Sequence, residues 1–121
     1  MYKGGNVTLM VADMDRAVGF YVEKLGLELK VRYDNEWAEV AAPGVTIGLH
    51  QARGPIARSD SSIGISIGLE VDHIEAAVGE LKPKGVLFPS SIRETNDLRE
   101  ASFADPDGTP LYLAEIKPQF R

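Results

Sequence analysis

LMVADMDRAV (residues 9–18) and LEVDHIEAAV (residues 69–78) stand 60 positions apart and read as two copies of one segment. Six of their ten positions agree like for like: Leu9 with Leu69, Val11 with Val71, Met14 with Ile74, Asp15 with Glu75, Ala17 with Ala77 and Val18 with Val78. Each copy opens in the alternation of a half-buried strand and passes into the three-and-four spacing of an amphipathic helix. Around the first copy, Asn6 to Val11 forms the strand. Asp13 caps a helix whose stripe is Met14, Ala17, Val18, Tyr21, Val22 and Leu25, and Gly26 stops it. Leu27 to Tyr33, Trp37 to Ala42 and Val45 to His50 then read as strands, divided by Asp34-Asn35 and Pro43-Gly44.

The second copy repeats the order. Ile63 to Val71 reads as a strand, and Asp72 with Glu75 forms a capping-box-like start for a helix bearing Ile74, Ala77, Val78 and Leu81. Pro83 and Gly85 end that helix. Val86 to Phe88, Ala101 to Ala104 and Leu111 to Glu115 read as strands, with a tight turn at Asp105-Pro-Asp-Gly108. A shift of 64 aligns Gly44 with Gly108, Ile47 with Leu111 and Leu49 with Leu113. The expected fold is α+β: a single domain over 1–121 of two β-α-β-β-β modules, at about 5–50 and 63–116. A Gly, Pro and Ser-rich connection at about 51–62 joins them. A module of about 55 residues cannot cover both faces of its sheet. Each helix is therefore expected on an outer face, with the two sheets together forming a cup-shaped mixed sheet.

Composition narrows the function. Thirteen Lys and Arg against eighteen Asp and Glu leave a net charge of −5, which repels polyanions and makes nucleic acid an unsuitable partner. The chain has no cysteine, which removes disulfides, thiolate metal sites and cysteine nucleophiles together. No apolar run reaches the roughly 20 residues that span a bilayer, and Met1 to Asn6 carries no basic stretch before an apolar segment. We expect a cytoplasmic protein that is neither secreted nor membrane-bound.

The strings VTLMVADMDRAVGFYVEKLGLEL, WAEVAAPGVTIGLH, GLEVDHIEAAVGELKPKGVLF and DPDGTPLYLAE resemble the vicinal oxygen chelate superfamily, also called glyoxalase/bleomycin-resistance/dioxygenase. The most specific pieces are Asp-x-x-Arg-Ala-x-x-Phe-Tyr-x-x-x-Leu-Gly-Leu from Asp13 to Leu27 and the turn from Asp105 to Gly108. The resemblance implies the cup fold and, for chains of this size, a homodimer. It also implies a choice between metal-dependent enzymes and metal-free drug-sequestering proteins. Its four metal-facing positions fall on Asn6, Gly48, Ser66 and Tyr112, a set without a strong charged donor. We therefore expect no metal and no cofactor.

Strand parity supplies the candidate site. Asn6, Thr8 and Met10 share one face, as do Thr46, Gly48 and His50. Ser66, Tyr112 and Ala114 do so in the second module, and Val40 as a core residue turns Trp37 and Glu39 to the cup side. The expected substrate-binding residues are Asn6, Thr8, Trp37, Gly48, Ser66, Arg99 and Tyr112. Gly48 should leave an open half in the cup, Tyr112 should donate a hydrogen bond, and Arg99 should clamp an anion from a loop at Glu94 to Leu98. His50 reads as a neutral imidazole lining the pocket. If the chain is an enzyme, His50, Glu39 and Tyr112 are its candidate catalytic residues, and a Glu39–His50 pair could move a proton. His73 reads as a solvated surface histidine, and Glu115 as structural or rim-exposed. The first functional expectation is metal-independent binding or sequestration of a small organic molecule. The alternative is a glyoxalase-like lyase or isomerase acting on a carbonyl substrate, with or without a metal, for which His50 is the one candidate ligand, and a third class is a purely structural interaction domain.

Overall fold

The computed structural model describes residues 1–56 and 64–120 and divides the chain into two compact units, 1–58 and 59–121. In the first unit, β1 (Val7–Val11) leads into helix α1 (Met14–Val18), followed by β2 (Glu28–Tyr33), β3 (Trp37–Ala42) and β4 (Val45–Gln51). The sheet order is β1-β4-β3-β2, with β1 parallel to β4 and the other pairs antiparallel. Asp13 caps α1 as expected, its carboxylate accepting from the Arg16 N–H at 3.1 Å. Beyond Val18 the helix continues to Lys24 as a π-helix. Phe20 and Tyr21, adjacent in sequence, are both buried there and meet edge-on at 5.2 Å. Gly26, at φ 81°, ends the element as the sequence predicts.

One face of this sheet carries the core. Val11, Met14, Ala17, Tyr21, Ala38, Val40, Ile47 and Leu49 are buried between the sheet and the helix, each large side chain contributing about 1.5–3 kcal/mol. Val7 and Leu9 share that face by register with Ile47 and Leu49 but lie on an edge strand, so Val7 stays exposed. Arg32, also on this side, spans from β2 to Asp15 on α1 at 2.6 Å. The Pro43-Gly44 turn, with Gly44 at φ 82°, is the tight connection expected between β3 and β4.

The second unit runs β5 (Ile67–Glu70), α2 (Ile74–Leu81), β6 (Arg93–Glu94), β7 (Leu98–Ala104) and β8 (Pro110–Ile116), in sheet order β5-β8-β7-β6. Its pairing repeats that of the first, β5 lying parallel to β8. The repeated β-α-β-β-β order and the two mixed sheets are those read from the sequence. Four local details differ. The strand expected from Ile63 begins at Ile67; Ile63 itself, and residues 57–62 of the connection, lie outside the described residues.

Val86 to Phe88 is not a strand, because its alternation is satisfied by packing alone. Val86 is buried, Leu87 is exposed, and Phe88 packs on Phe103 at 5.4 Å. The outer strand is instead β6, so the segment expected as a loop at Glu94 to Leu98 is a hairpin in which the Thr95 hydroxyl donates to Asp97 at 2.7 Å. The Asp72–Glu75 box does not form. His73 occupies the cap position without a side-chain bond, and the Ile74 N–H is taken by the Glu115 carboxylate of β8 at 2.8 Å.

The turn at Asp105 to Gly108 explains its own composition. Asp105 is buried, and one carboxylate oxygen accepts from the N–H groups of Asp107 at 2.9 Å and Thr109 at 2.8 Å. Asp105→Ala leaves those two donors without that acceptor and should cost about 1–3 kcal/mol of stability in a urea titration. Unchanged stability would show that the turn is held by its backbone bonds alone.

Candidate functional site

The face of the first sheet opposite α1 is built by register. Thr8 pairs with Gly48 and Gly48 with Glu39; Met10 pairs with His50 and His50 with Trp37, which pairs in turn with Tyr33. Trp37, Glu39, Gly48, His50, Thr8 and Met10 therefore share the face that strand parity assigned to them. Asn6 lies just ahead of β1 and accepts the Thr8 hydroxyl at 2.6 Å.

The interior of that face differs from the expectation in one respect. Gly48 does not leave an open half, because the Trp37 indole reaches diagonally across from β3 and occupies the place where a Gly48 side chain would stand. A Cβ at Gly48 would collide with the indole Cη2 and come within 2.9 Å of Cζ2 and 3.0 Å of the Thr8 hydroxyl. Gly48 itself is buried beneath the ring, while the indole remains half-exposed. The indole N–H donates to Glu39 Oε2 at 3.0 Å, which fixes the ring's rotation. His50 meets the indole edge-on at 6.2 Å, and its Nδ1 lies 2.9 Å from the Gln51 carbonyl. A carbonyl only accepts, so Nδ1 carries the proton, and in the neutral ring Nε2 is left as an acceptor. Glu39 and His50 thus take separate partners, the indole and a carbonyl, rather than each other.

In the second sheet Tyr112 repeats the device on its own terms. Its phenol lies over Gly68, whose Cβ would collide with the ring. Ser102 pairs with Tyr112 on the same face. Ser66 is exposed and precedes β5. Arg99 belongs to the other side of this sheet. It lies in β7, pairs in register with Glu115, and its guanidinium forks onto the Glu75 carboxylate of α2, with Nη1 at 2.9 Å. Glu94 Oε1 stands 3.6 Å from Arg99 Nε. The hydrogen bond from Arg99 holds the Glu75 carboxyl below its ordinary 4.5 and in return raises Arg99. A guanidinium committed to two carboxylates on the helix side is poorly placed to clamp an anion at the opposite face. Sequence reading missed this role because the charge of Arg99 is visible in the sequence but its partner, 24 residues away on the helix, is not.

The four metal-facing positions do not fit a divalent ion. Asn6 and Ser66 are neutral and exposed, Gly48 has no donor and lies under an indole, and the Tyr112 phenol is packed on Gly68. Among the described residues no three His, Asp or Glu side chains are grouped to hold a metal. No helix of the described residues is long and apolar enough to cross a membrane.

Gly48→Ala tests the geometry of the face. The added methyl must push the indole off the strand, so the emission of Trp37, the single tryptophan, should shift to the red, with a stability loss of about 1–3 kcal/mol. An unshifted spectrum and unchanged stability would mean that the ring does not rest on Gly48.

Comparison with known proteins places these features in a family. Residues 5–113 match the model of the Glyoxalase/Bleomycin resistance protein/Dioxygenase superfamily. Bleomycin resistance proteins of Geobacillus stearothermophilus and Staphylococcus aureus are 29% identical over 125 residues, covering 90% of this chain and 94% of theirs. The glyoxalase family protein from Enterococcus faecalis superposes with a TM-score of 0.79 at 24% identity, over 93% of this chain and 97% of that one. TnmS3, an antibiotic binding protein from Streptomyces sp. CB03234, gives 0.71 at 24% identity, over 97% and 99%. Lactoylglutathione lyase from Agrobacterium tumefaciens gives 0.72 at 18% identity, over 91% and 90%. These structural likenesses concern the fold. With the duplicated β-α-β-β-β units and the family match over nearly its whole length, the chain belongs to the glyoxalase/bleomycin-resistance/dioxygenase superfamily.

Proposed function

We propose that this protein binds a small organic molecule without a metal, in the manner suggested by the bleomycin resistance proteins it is related to, and that the ligand rests on the helix-free face of its first sheet. The observation that carries the reading is the Trp37 indole seated over Gly48 and pinned by Glu39. A half-exposed aromatic wall with a fixed orientation loses little freedom when a flat ligand stacks on it, and such stacking adds about 0.5–1.5 kcal/mol beyond area burial. Around it stand Met10 at 45% exposure and Tyr33 at 66%, apolar surface that a ligand would remove from water. His50, Thr8 and Asn6 supply the few polar groups that orient a ligand on such a face.

The lyase or isomerase reading has less support. Glu39 and His50 are each bonded elsewhere, which weakens the proton-transfer pair, and the metal-facing positions lack the donors that family enzymes with a metal require. Tyr112 remains a candidate hydrogen-bond donor within the second unit. The proposal includes a homodimer, since among the described residues β1 and β2 form the edges of the first sheet and β5 and β6 those of the second. A cytoplasmic location is part of it too, resting on a cysteine-free chain.

Calorimetric titration with bleomycin tests the binding reading. Saturable binding is expected, weakened about threefold to tenfold in Trp37→Ala, the range set by one stacking contact. Unchanged affinity in that variant, or no binding at all, contradicts it. Light scattering should give twice the 13.2 kDa chain mass, and a monomer at high concentration would remove the dimer from the proposal.

A further inference from the structure

The same face has a charge pattern that its shape does not require. Strands β1, β3 and β4, which form most of it, contain no Lys or Arg at all. The two basic residues of β2 are engaged: Lys30 lies 3.5 Å from Glu28, and Arg32 reaches Asp15 on the helix side. Glu39 is half-buried in the middle of this face, beside a buried glycine, and among the described residues no cation pairs with it. Its one hydrogen bond, from the indole N–H, uses Oε2. That leaves Oε1 to accept, on the same face as His50 and Thr8.

We propose that Glu39 is the specificity-determining residue of this face and selects flat organic cations, aromatic or heteroaromatic rings bearing a protonated nitrogen, over neutral and anionic rings of the same shape. The inference rests on the binding role proposed above. A carboxylate partly withdrawn from water and left without a cation gains most from a ligand that brings one, because the pair then forms where solvent screens it less. The indole beside it works in the same direction, since a cation over its ring is attracted by the ring's negative face. An anion meets the like charge of Glu39, and the negative face of the indole disfavours it as well. Glu39 thus has two tasks divided between its oxygens: Oε2 orients the stacking wall and Oε1 receives the ligand's N–H.

Three probes of similar outline separate charge from shape: proflavine, a planar cation at neutral pH, 9-anthracenemethanol, which is neutral, and anthracene-9-carboxylate, an anion. Calorimetry on the full chain should show proflavine binding at least tenfold more tightly than the alcohol, and the carboxylate more weakly still. Glu39→Gln keeps an oxygen for the indole N–H and removes the charge. Its tryptophan emission should match that of the parent, while the preference for proflavine over the alcohol falls to within threefold. A preference that survives Glu39→Gln, or equal binding of all three probes by the parent, overturns the charge selection and leaves the face standing as a binding site. Failure of the parent to bind proflavine also overturns it, and the bleomycin titration then decides whether the face itself stands.

Discussion

The contact between the Trp37 indole and the bare backbone of Gly48 is the constraint on which the rest of the proposed site depends. A β-strand normally lifts its neighbours' side chains away from the sheet with its own Cβ atoms. At Gly48 that atom is missing, and the ring of the adjacent strand occupies its place instead. From there the indole brings its N–H to Glu39, two residues away on its own strand, and the hydrogen bond keeps it there. Orientation of the wall, separation of Glu39 from His50 and exclusion of a metal donor at position 48 all follow from one absent side chain. The second sheet reaches a similar arrangement with Tyr112 over Gly68, but places the glycine on the edge strand β5 and the ring on β8. Both units therefore set an aromatic ring over a strand glycine, each from a different pair of strands.

Much of this was legible in the sequence. Two-residue and three-to-four-residue periods are properties of a segment by itself, so β1, α1 and their repeats were readable, as was the side of the sheet to which Trp37, Glu39, Gly48 and His50 belong. What could not be read was set by partners distant in the chain. The reach of Trp37 across to Gly48 depends on the β3–β4 register, which pairs Trp37 with His50 rather than with Gly48. The capping of α2 by Glu115 lies 41 positions away, and no local signal distinguishes it from the Asp72 and Glu75 pattern that it supersedes. Val86 to Phe88 alternates like a strand because one-sided burial produces that alternation whether or not a ladder forms. Arg99 shows the same limit, since the positive charge was visible but its commitment to Glu75 across the helix side was not.

Family membership and local chemistry answer different questions. The superfamily match supplies a scaffold shared by enzymes and binding proteins, and a scaffold does not choose between them. The proposed binding role rests on the residues: neutral or absent donors at the metal-facing positions, two acid–base groups bonded to other partners, and an oriented aromatic wall beside a carboxylate that no cation pairs with among the described residues. Each of these supports the proposed retention of a flat ligand.

The most direct measurement is a proton–nitrogen correlation spectrum of the nitrogen-15-labelled protein titrated with proflavine. With a single tryptophan, the spectrum holds one indole N–H resonance, and it reports the group that donates to Glu39. The account predicts that this resonance moves progressively with added ligand, accompanied by the amides of Thr8, Glu39, Gly48 and His50. Shifts confined to other regions, with the indole resonance unmoved at saturation, would contradict it.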